Sequence, residues 1–352
     1  MSDRVKIDEV DVKILKTLLK NVRTSFSDIA KDCGMSSNAI RIRFERLKKN
    51  GVITGSITQV DPKKFGYGCV AFLMIKAEAN AETKVRDFVR KIPNIGCFKP
   101  IGRYNIQCLV ALKTVNELAN TIEQINSHPN VLEVKEAILV DAVMMDHPEN
   151  LTIEPLDESP RTKDNLSEKK KEAKPTTSHS LDGKVGKNNL EADKLDDIDM
   201  GIIEILSENA SMSFRKIAKK VGVSTQSVIK RYKQMEKSVL TFSSITVNLK
   251  KLGYKGIALL LVKTAHTHKT SQVFDDIVQI PNVIVAHKCV GAVDMYLVAP
   301  FSDVEQLLEV KQRICNTPGV KEIELFIDEP FTSWPLNLFA KRFFQTKIKP
   351  TK

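Results

Sequence analysis

Ser36-Ser37-Asn38-Ala39-Ile40-Arg41-Ile42-Arg43-Phe44-Glu45-Arg46-Leu47 is the stretch that decides how this chain is read. Ser36 is a natural N-cap. Ile40, Phe44 and Leu47 then recur at helical spacing and form an inward face. Asn38, Arg41, Arg46 and Lys49 fall on the opposite, outward face. Upstream, Val10, Ile14, Leu15 and Leu18 share one face of a first helix, Ser25 caps a second helix holding Ile29, and Gly34 marks a tight turn. Downstream, Gly51-Val52 leads into a strand-like stretch, Ile53 to Val60. That order predicts a three-helix, winged helix-turn-helix unit.

The pattern is written twice. Asp8 to Asp141 and Asp196 to Asp328 run in parallel. Val10, Ile14, Leu18 and Asn21 reappear as Ile198, Ile202, Leu206 and Asn209. Ser25-Phe26, Gly34, Ser36 and Arg43 reappear as Ser213-Phe214, Gly222, Ser224 and Arg231. A repeat of this length is a duplicated domain set, not a solenoid. In the second copy Ser224 caps a helix with Val228, Tyr232 and Met235 inside and Gln226, Lys230 and Lys233 outside. Ser238-Val239-Leu240 replaces Asn50-Gly51-Val52 at its exit, so the turn there needs another geometry.

After each helical unit comes a mixed segment. In copy one the apolar pattern predicts strands at Cys69 to Lys76, Gly96 to Ile101, Ile106 to Leu112 and Val131 to Leu139, with helices at Glu82 to Arg90 and Val115 to Ile125. This β-α-β-β-α-β order is that of a ferredoxin-like sandwich, and copy two repeats it from Gly256 to Asp328. The expected class is therefore α+β, as two copies of a winged helix-turn-helix plus a ferredoxin-like effector or dimerisation domain. The expected boundaries are 1–60 and 61–148 for copy one, 195–248 and 249–330 for copy two, and 331–352 for an aromatic, basic tail. Residues 149–194 are polar and mixed in charge, with too little apolar surface to offset ordering, and are expected to form a disordered connector.

The formal net charge is +11 from 54 Lys and Arg against 43 Asp and Glu, and the excess sits in the repeats, not in the connector. A basic balance favours a polyanionic partner. No apolar run approaches a bilayer span, so no membrane association is expected. Six scattered cysteines (Cys33, Cys69, Cys97, Cys108, Cys289 and Cys315) with no C-x-x-C pair read as buried thiols in a reducing cytoplasm. Neither a metal site nor a cofactor is expected. His266 and His268 are read as a solvated loop, and no nucleophile–base constellation or Gly-rich phosphate loop is evident.

The capped helix ending in Lys49-Asn50-Gly51-Val52-Ile53, the leading Asp8-x-x-Asp11-x-x-Ile14-Leu15 and the β-α-β-β-α-β unit together resemble the Lrp/AsnC (feast/famine) transcription regulators. The resemblance covers nearly everything outside the connector and the tail. It implies binding of double-stranded DNA through the third helix, dimerisation through the sandwich, and an amino-acid effector near that interface. Two fused copies depart from the usual single-copy chain, so the sandwiches are expected to pair either within the chain as a pseudo-dimer or between chains as a homo-oligomer. The family's Gly-x-x-Asp turn matches Gly291-Ala292-Val293-Asp294, whereas copy one has Gly102-Arg103-Tyr104-Asn105. Gly102, Tyr104, Asn105, Gly291 and Asp294 are therefore the effector candidates. The competing reading makes the glycines turn residues and Asp294 an acceptor for backbone donors.

For DNA, Ser36 caps the reading helix and Ser37, Asn38 and Arg41 are placed to reach base edges, with Thr225, Gln226 and Lys230 as their counterparts. Arg43, Arg46, Lys48 and Lys49, with Arg231, Lys233 and Lys237, are the expected phosphate contacts. The bland alternative is a solvated basic face. In the tail, Phe331, Trp334, Leu336, Leu338, Phe339, Phe343 and Phe344 mix with Lys341, Arg342, Lys347, Lys349 and Lys352. This reads as an extra helix on the second sandwich, an oligomerisation element or a DNA-contacting arm. Two rival functions stand beside a sequence-specific regulator: a non-specific architectural DNA binder, and an enzyme. Siroheme decarboxylases resemble the same family, and Trp334-Pro335-Leu336-Asn337-Leu338-Phe339 and His287-Lys288-Cys289 resemble fragments of them. A decarboxylase has little use for so many cations on one capped helix, so the expectation is no enzyme.

Overall fold

The computed structural model describes residues 4–140, 146–155 and 195–337. Copy one runs α1 (Glu9–Lys20), α2 (Phe26–Cys33), α3 (Ser37–Lys49), β1 (Ile53–Val60), β2 (Cys69–Ala77), α4 (Glu82–Val89), β3 (Ile95–Phe98), β4 (Ile106–Leu112), α5 (Val115–Asn126) and β5 (Val131–Leu139). Copy two repeats this order as α6 (Asp197–Glu208), α7 (Phe214–Val221), α8 (Thr225–Met235), β6 (Leu240–Val247), β7 (Gly256–Thr264), α9 (Thr270–Ile277), β8 (Val285–Gly291), β9 (Met295–Phe301), α10 (Val304–Cys315) and β10 (Val320–Asp328).

The two sandwiches pair within the chain. Their strands form one eight-stranded sheet, β10-β7-β9-β8-β5-β2-β4-β3, with copies one and two meeting at β5–β8. At the outer edges Ile101 and Ile327 exchange both backbone hydrogen bonds, at 2.7 and 3.1 Å, so the sheet curls until its ends touch. Two glycines permit this approach. A Cβ on Gly102 would lie 2.2 Å from Phe326, and one on Gly291, at φ +127°, would lie 2.7 Å from the Glu136 carbonyl. The closure also explains why β2 and β7 read as continuous apolar runs. Val70, Phe72 and Met74 with Ile257, Leu259 and Leu261 face the shared interior. Ala71, Leu73 and Ile75 pack under copy one's helices, and Ala258, Leu260 and Val262 under those of copy two. Strands buried on both faces lose the polar alternation of a one-sided sheet.

A second link joins the copies. β1 and β6 form an antiparallel ribbon, and each helix-turn-helix docks on the strand of the other copy. Val22 N–H donates to Ser243 O at 3.1 Å, and Ala210 N–H to Ser56 O at 3.3 Å. Arg23 lies 4.2 Å from the Phe214 ring centroid and 4.9 Å from that of Tyr232, and donates to Met212 O at 3.3 Å. A guanidinium stacked on aromatic faces gains both dispersion and cation–π attraction.

Three expectations need correction. Order does not stop at residue 148: Leu151 and Ile153 are buried, and Asn150 Nδ2 donates to Val278 O and Val283 O at 2.6 and 2.8 Å. The described part of the tail is not a helix on the second sandwich. It lies extended along the ribbon, where Val247 and Trp334 exchange backbone hydrogen bonds at 2.7 and 2.9 Å. The thiols are not uniformly buried: Cys315 is exposed, and Cys97 faces Cys108 across β3–β4 with sulfurs 3.0 Å apart. The connector reading for 156–194 and the tail cations from Lys341 onward lie outside the described residues. Among the described residues no helix is long and apolar enough to cross a membrane.

Asp146 sits where tail, ribbon and sandwich meet. Gln59 Nε2 donates to Asp146 Oδ2 at 2.7 Å and to Leu336 O at 3.1 Å. Burial nonetheless pushes the Asp146 carboxyl up to about 7. The folded protein therefore keeps a proton that the unfolded chain releases near pH 4, and folding stability falls as pH rises from about 4 to about 7. Asp146→Asn is expected to remove that slope and to raise stability at pH 8 by a few kcal/mol, since each tenfold change in acidity corresponds to roughly 1.4 kcal/mol. Denaturant titration at several pH values checks this. Intrachain pairing has its own check. When the chain is cut at a protease site inserted within 156–194, the fragments should elute together at the position of uncut protein, and separate elution contradicts the pairing.

Candidate nucleic-acid interface

Each reading helix is built the same way. Gly34 and Gly222 end the preceding helices in the left-handed region, at φ 62° and 73°, which costs a glycine nothing and turns the chain sharply. Ser36 Oγ then accepts from Ala39 N–H at 3.2 Å, and Ser224 Oγ from Ser227 N–H at 3.1 Å. Inward, Ile40 and Leu47 are buried and Phe44 lies 5.2 Å from the Phe26 ring. In copy two Val228, Tyr232 and Met235 are buried, with Tyr232 5.0 Å from Phe214. Outward, Ser37, Asn38, Arg41, Arg46, Lys48 and Lys49 are exposed, as are Gln226, Lys230, Lys233 and Lys237, with Thr225 half-buried. The cationic faces are therefore open in both copies. Arg41 Nη2 donates to Asn38 Oδ1 at 2.7 Å, which holds these two side chains together near the helix start.

The structure gives three of the expected phosphate contacts other work. Arg43 bonds Asp8 at 2.6 Å and Asp11 at 3.1 Å, and Arg231 bonds Asp196 and Asp199, each at 2.8 Å. Arg46 also pairs with Asp11, whose side chain is fully buried. The same aspartates close capping boxes on α1 and α6. Arg43 and Arg231 thus pin the reading helix to the first helix instead of reaching outward. The backbone N–H of Asp199, with help from Arg231, holds the Asp196 carboxyl below its ordinary range. Burial alone would raise Asp8, but the Asp11 N–H and Arg43 outweigh it and its pKa falls. Their carboxylates raise the pKa of both guanidinium groups.

The matched ion pairs also fix the register between copies. With Arg43 opposite Arg231, Arg41 falls opposite Ile229, and Lys230 opposite Ile42. Lys230 is therefore not the counterpart of Arg41, contrary to the expectation from sequence. One residue rotates a helical side chain by roughly 100°, so the copies present different reading surfaces.

Comparison with known proteins agrees with this geometry. Residues 195–236 match the AsnC-type helix-turn-helix domain, and residues 7–54 a winged helix-turn-helix DNA-binding domain. The chain is 31% identical over 129 residues to the HTH-type transcriptional regulator FL11 of Pyrococcus horikoshii, covering 36% of this chain and 85% of that protein. The chain belongs to the Lrp/AsnC family of DNA-binding transcriptional regulators. It is also 28% identical over 144 residues to the regulatory protein AsnC of Haemophilus influenzae, covering 38% of this chain and 96% of that protein. Among solved structures, the siroheme decarboxylase NirDL matches with a TM-score of 0.57 over 96% of this chain and 98% of that one, at 14% identity. That likeness concerns the fold.

In this Lrp/AsnC chain the expected effector residues are occupied. Asn105 accepts from Ala77 N–H at 2.9 Å and donates to Ala77 O at 3.1 Å. Asp294 accepts from the Thr264 N–H at 2.7 Å and from its hydroxyl at 3.0 Å. Both side chains clamp the end of a neighbouring strand. Gly102 and Gly291 serve close contact between copies, and Tyr104 is buried beside Phe326. All five residues thus make contacts within the fold, as the competing reading of turn glycines and backbone acceptors expects. His266 and His268 are exposed, and among the described residues no group of three metal-binding side chains forms. What sequence reasoning missed is a convergence: His287, Trp334 and Asp146 line one internal cavity.

The ion-pair network yields a test. Replacing both Arg43 and Arg46 by Ala strands the buried Asp11 carboxylate, and stability should fall by about 3 kcal/mol. Chemical denaturation checks this, and an unchanged midpoint would assign the pairs no structural weight.

Proposed function

We propose that this chain is a sequence-specific transcriptional regulator that presents two non-identical reading helices from one polypeptide, as a built-in dimer. The observation that carries it is the open outward face of α3 and α8, set on helix-turn-helix units held in one frame by the β1–β6 ribbon. Asn38 and Arg41, already hydrogen-bonded to each other, are the base-reading pair of copy one, with Ser37 beside them. Gln226, Lys230 and Thr225 take that part in copy two. Lys48 and Lys49, with Lys233 and Lys237, neutralise phosphates and set position without reading sequence. Because the two faces differ, the operator favoured by this reading is asymmetric rather than palindromic. A non-specific architectural binder would show no such preference over competitor DNA. Action in the cytoplasm without enzymatic chemistry is part of this reading, and the similarity to transcriptional regulators supports it.

A decarboxylase reading has one observation in its favour, since His287 and Trp334 meet at the same cavity. Against it stands the lining, in which the described residues include no Lys or Arg. A tetrapyrrole carrying many carboxylates needs cationic partners when taken out of water.

The regulator reading is tested by selecting bound fragments from random DNA. Arg41→Ala should lower affinity for the selected site by about 1–3 kcal/mol and relax preference at one position. Lys48→Ala and Lys49→Ala should weaken all sequences alike and flatten the slope of log affinity against log salt by about one each. Selection that returns no consensus would turn the reading toward architectural binding.

A further inference from the structure

The closed sheet forms a chamber between the two copies, part of it open to solvent and most of its wall apolar. Its walls come in pairs related by the duplication: Phe72 with Leu259, Phe98 with His287, and Leu109 with Val298. A homodimer would make these walls identical. Here the walls differ: His287 stands where copy one has Phe98, and Asp146 and Trp334 join at the rim where the tail crosses.

One of those polar groups lacks a partner and another is only loosely engaged. His287 is 2% exposed and its Nδ1 has no hydrogen bond. Trp334 is fully buried, and its indole N–H makes no hydrogen bond of ordinary geometry, although it lies close enough to the Asp146 carboxyl to restrain its pKa. Buried polar atoms are nearly always satisfied, by protein, water or ligand. Burial holds His287 neutral, with its pKa pushed down to about 3, and no cation lines the described walls. A zwitterionic amino acid would leave its carboxylate unpaired there, a costly desolvation. The aromatic walls, where Phe72 and Tyr296 stack at 3.7 Å, favour a planar apolar body.

We infer that this chamber binds a neutral aromatic compound of one or two rings, whose hydrogen-bond acceptor meets the Trp334 indole N–H and whose plane lies among Phe72, Leu259 and His287. Occupancy is linked to the DNA-binding units, because Trp334 pairs through its backbone with Val247 of the ribbon and Gln59 of β1 holds the Leu336 carbonyl. That link, unlike the binding itself, rests on the DNA-binding reading.

Trp334 is the single tryptophan of the chain, so its fluorescence reports on the chamber directly. Coumarin, a neutral bicyclic lactone, titrated into the full chain should quench it saturably. Naphthalene has nearly the same shape but no acceptor, and should bind about fivefold more weakly, the worth of one hydrogen bond. L-Phenylalanine should have no effect. Val298→Phe, which fills the chamber, should abolish quenching in protein that is folded by circular dichroism. Linear quenching without saturation, equal affinity for naphthalene, or undiminished quenching in folded Val298→Phe would overturn the proposal, and the wild-type series decides even if the variant does not fold. With saturable quenching in hand, an unchanged affinity for selected DNA would overturn only the link to the ribbon.

Discussion

The pairing of β1 with β6 is the constraint on which the rest of the molecule depends. Each strand ends a winged helix-turn-helix, and each receives the first helix of the other copy, so neither unit completes its packing alone. Arg23 shows the exchange in one side chain: it leaves copy one and stacks on Phe214 and Tyr232 in the core of copy two. Reciprocal docking of this kind fixes the reading helices relative to one another through backbone hydrogen bonds between the copies, in addition to the covalent connection.

The closed sheet serves the same end from the other side. β5 meets β8, and Ile101 meets Ile327, so each sandwich shields the edges of the other. Closure brings backbone so near to its neighbours that Gly102 and Gly291 cannot carry a side chain. Fusion of the two copies then has a chemical consequence. Positions that symmetry would hold identical in a homodimer are free to differ, and here they do: Phe98 stands opposite His287, and Asn105 clamps a strand where Asp294 does so in the second copy. The reading helices diverge in the same manner, with Arg41 set against Ile229.

Much of this was legible beforehand. Helix caps at Ser36 and Ser224, the turn glycines Gly34 and Gly222 and the strand bounds Ile53–Val60, Ile106–Leu112 and Val131–Leu139 follow from local chemistry, and the structure places them where the pattern did. The misreadings share a cause. Arg43 and Arg231 carry the charge of a phosphate contact, but their partners, Asp8 and Asp196, lie two helices away in sequence. Asp294 fits a ligand motif, and its carboxylate accepts from Thr264, as its alternative reading as a backbone acceptor expects. A side chain's type reveals what it is able to bond, not which neighbour reaches it first.

By itself the sequence determined the local elements and their duplication, because capping, periodicity and turn chemistry act within a few residues and are repeated position by position. Only the tertiary structure decided that the copies pair with each other, that each winged unit leans on its twin's strand, and that His287, Asp146 and Trp334 gather around one chamber. Those outcomes depend on contacts between segments far apart in the chain. They are set by which apolar surfaces close against each other in three dimensions, a choice that spacing along the chain does not encode.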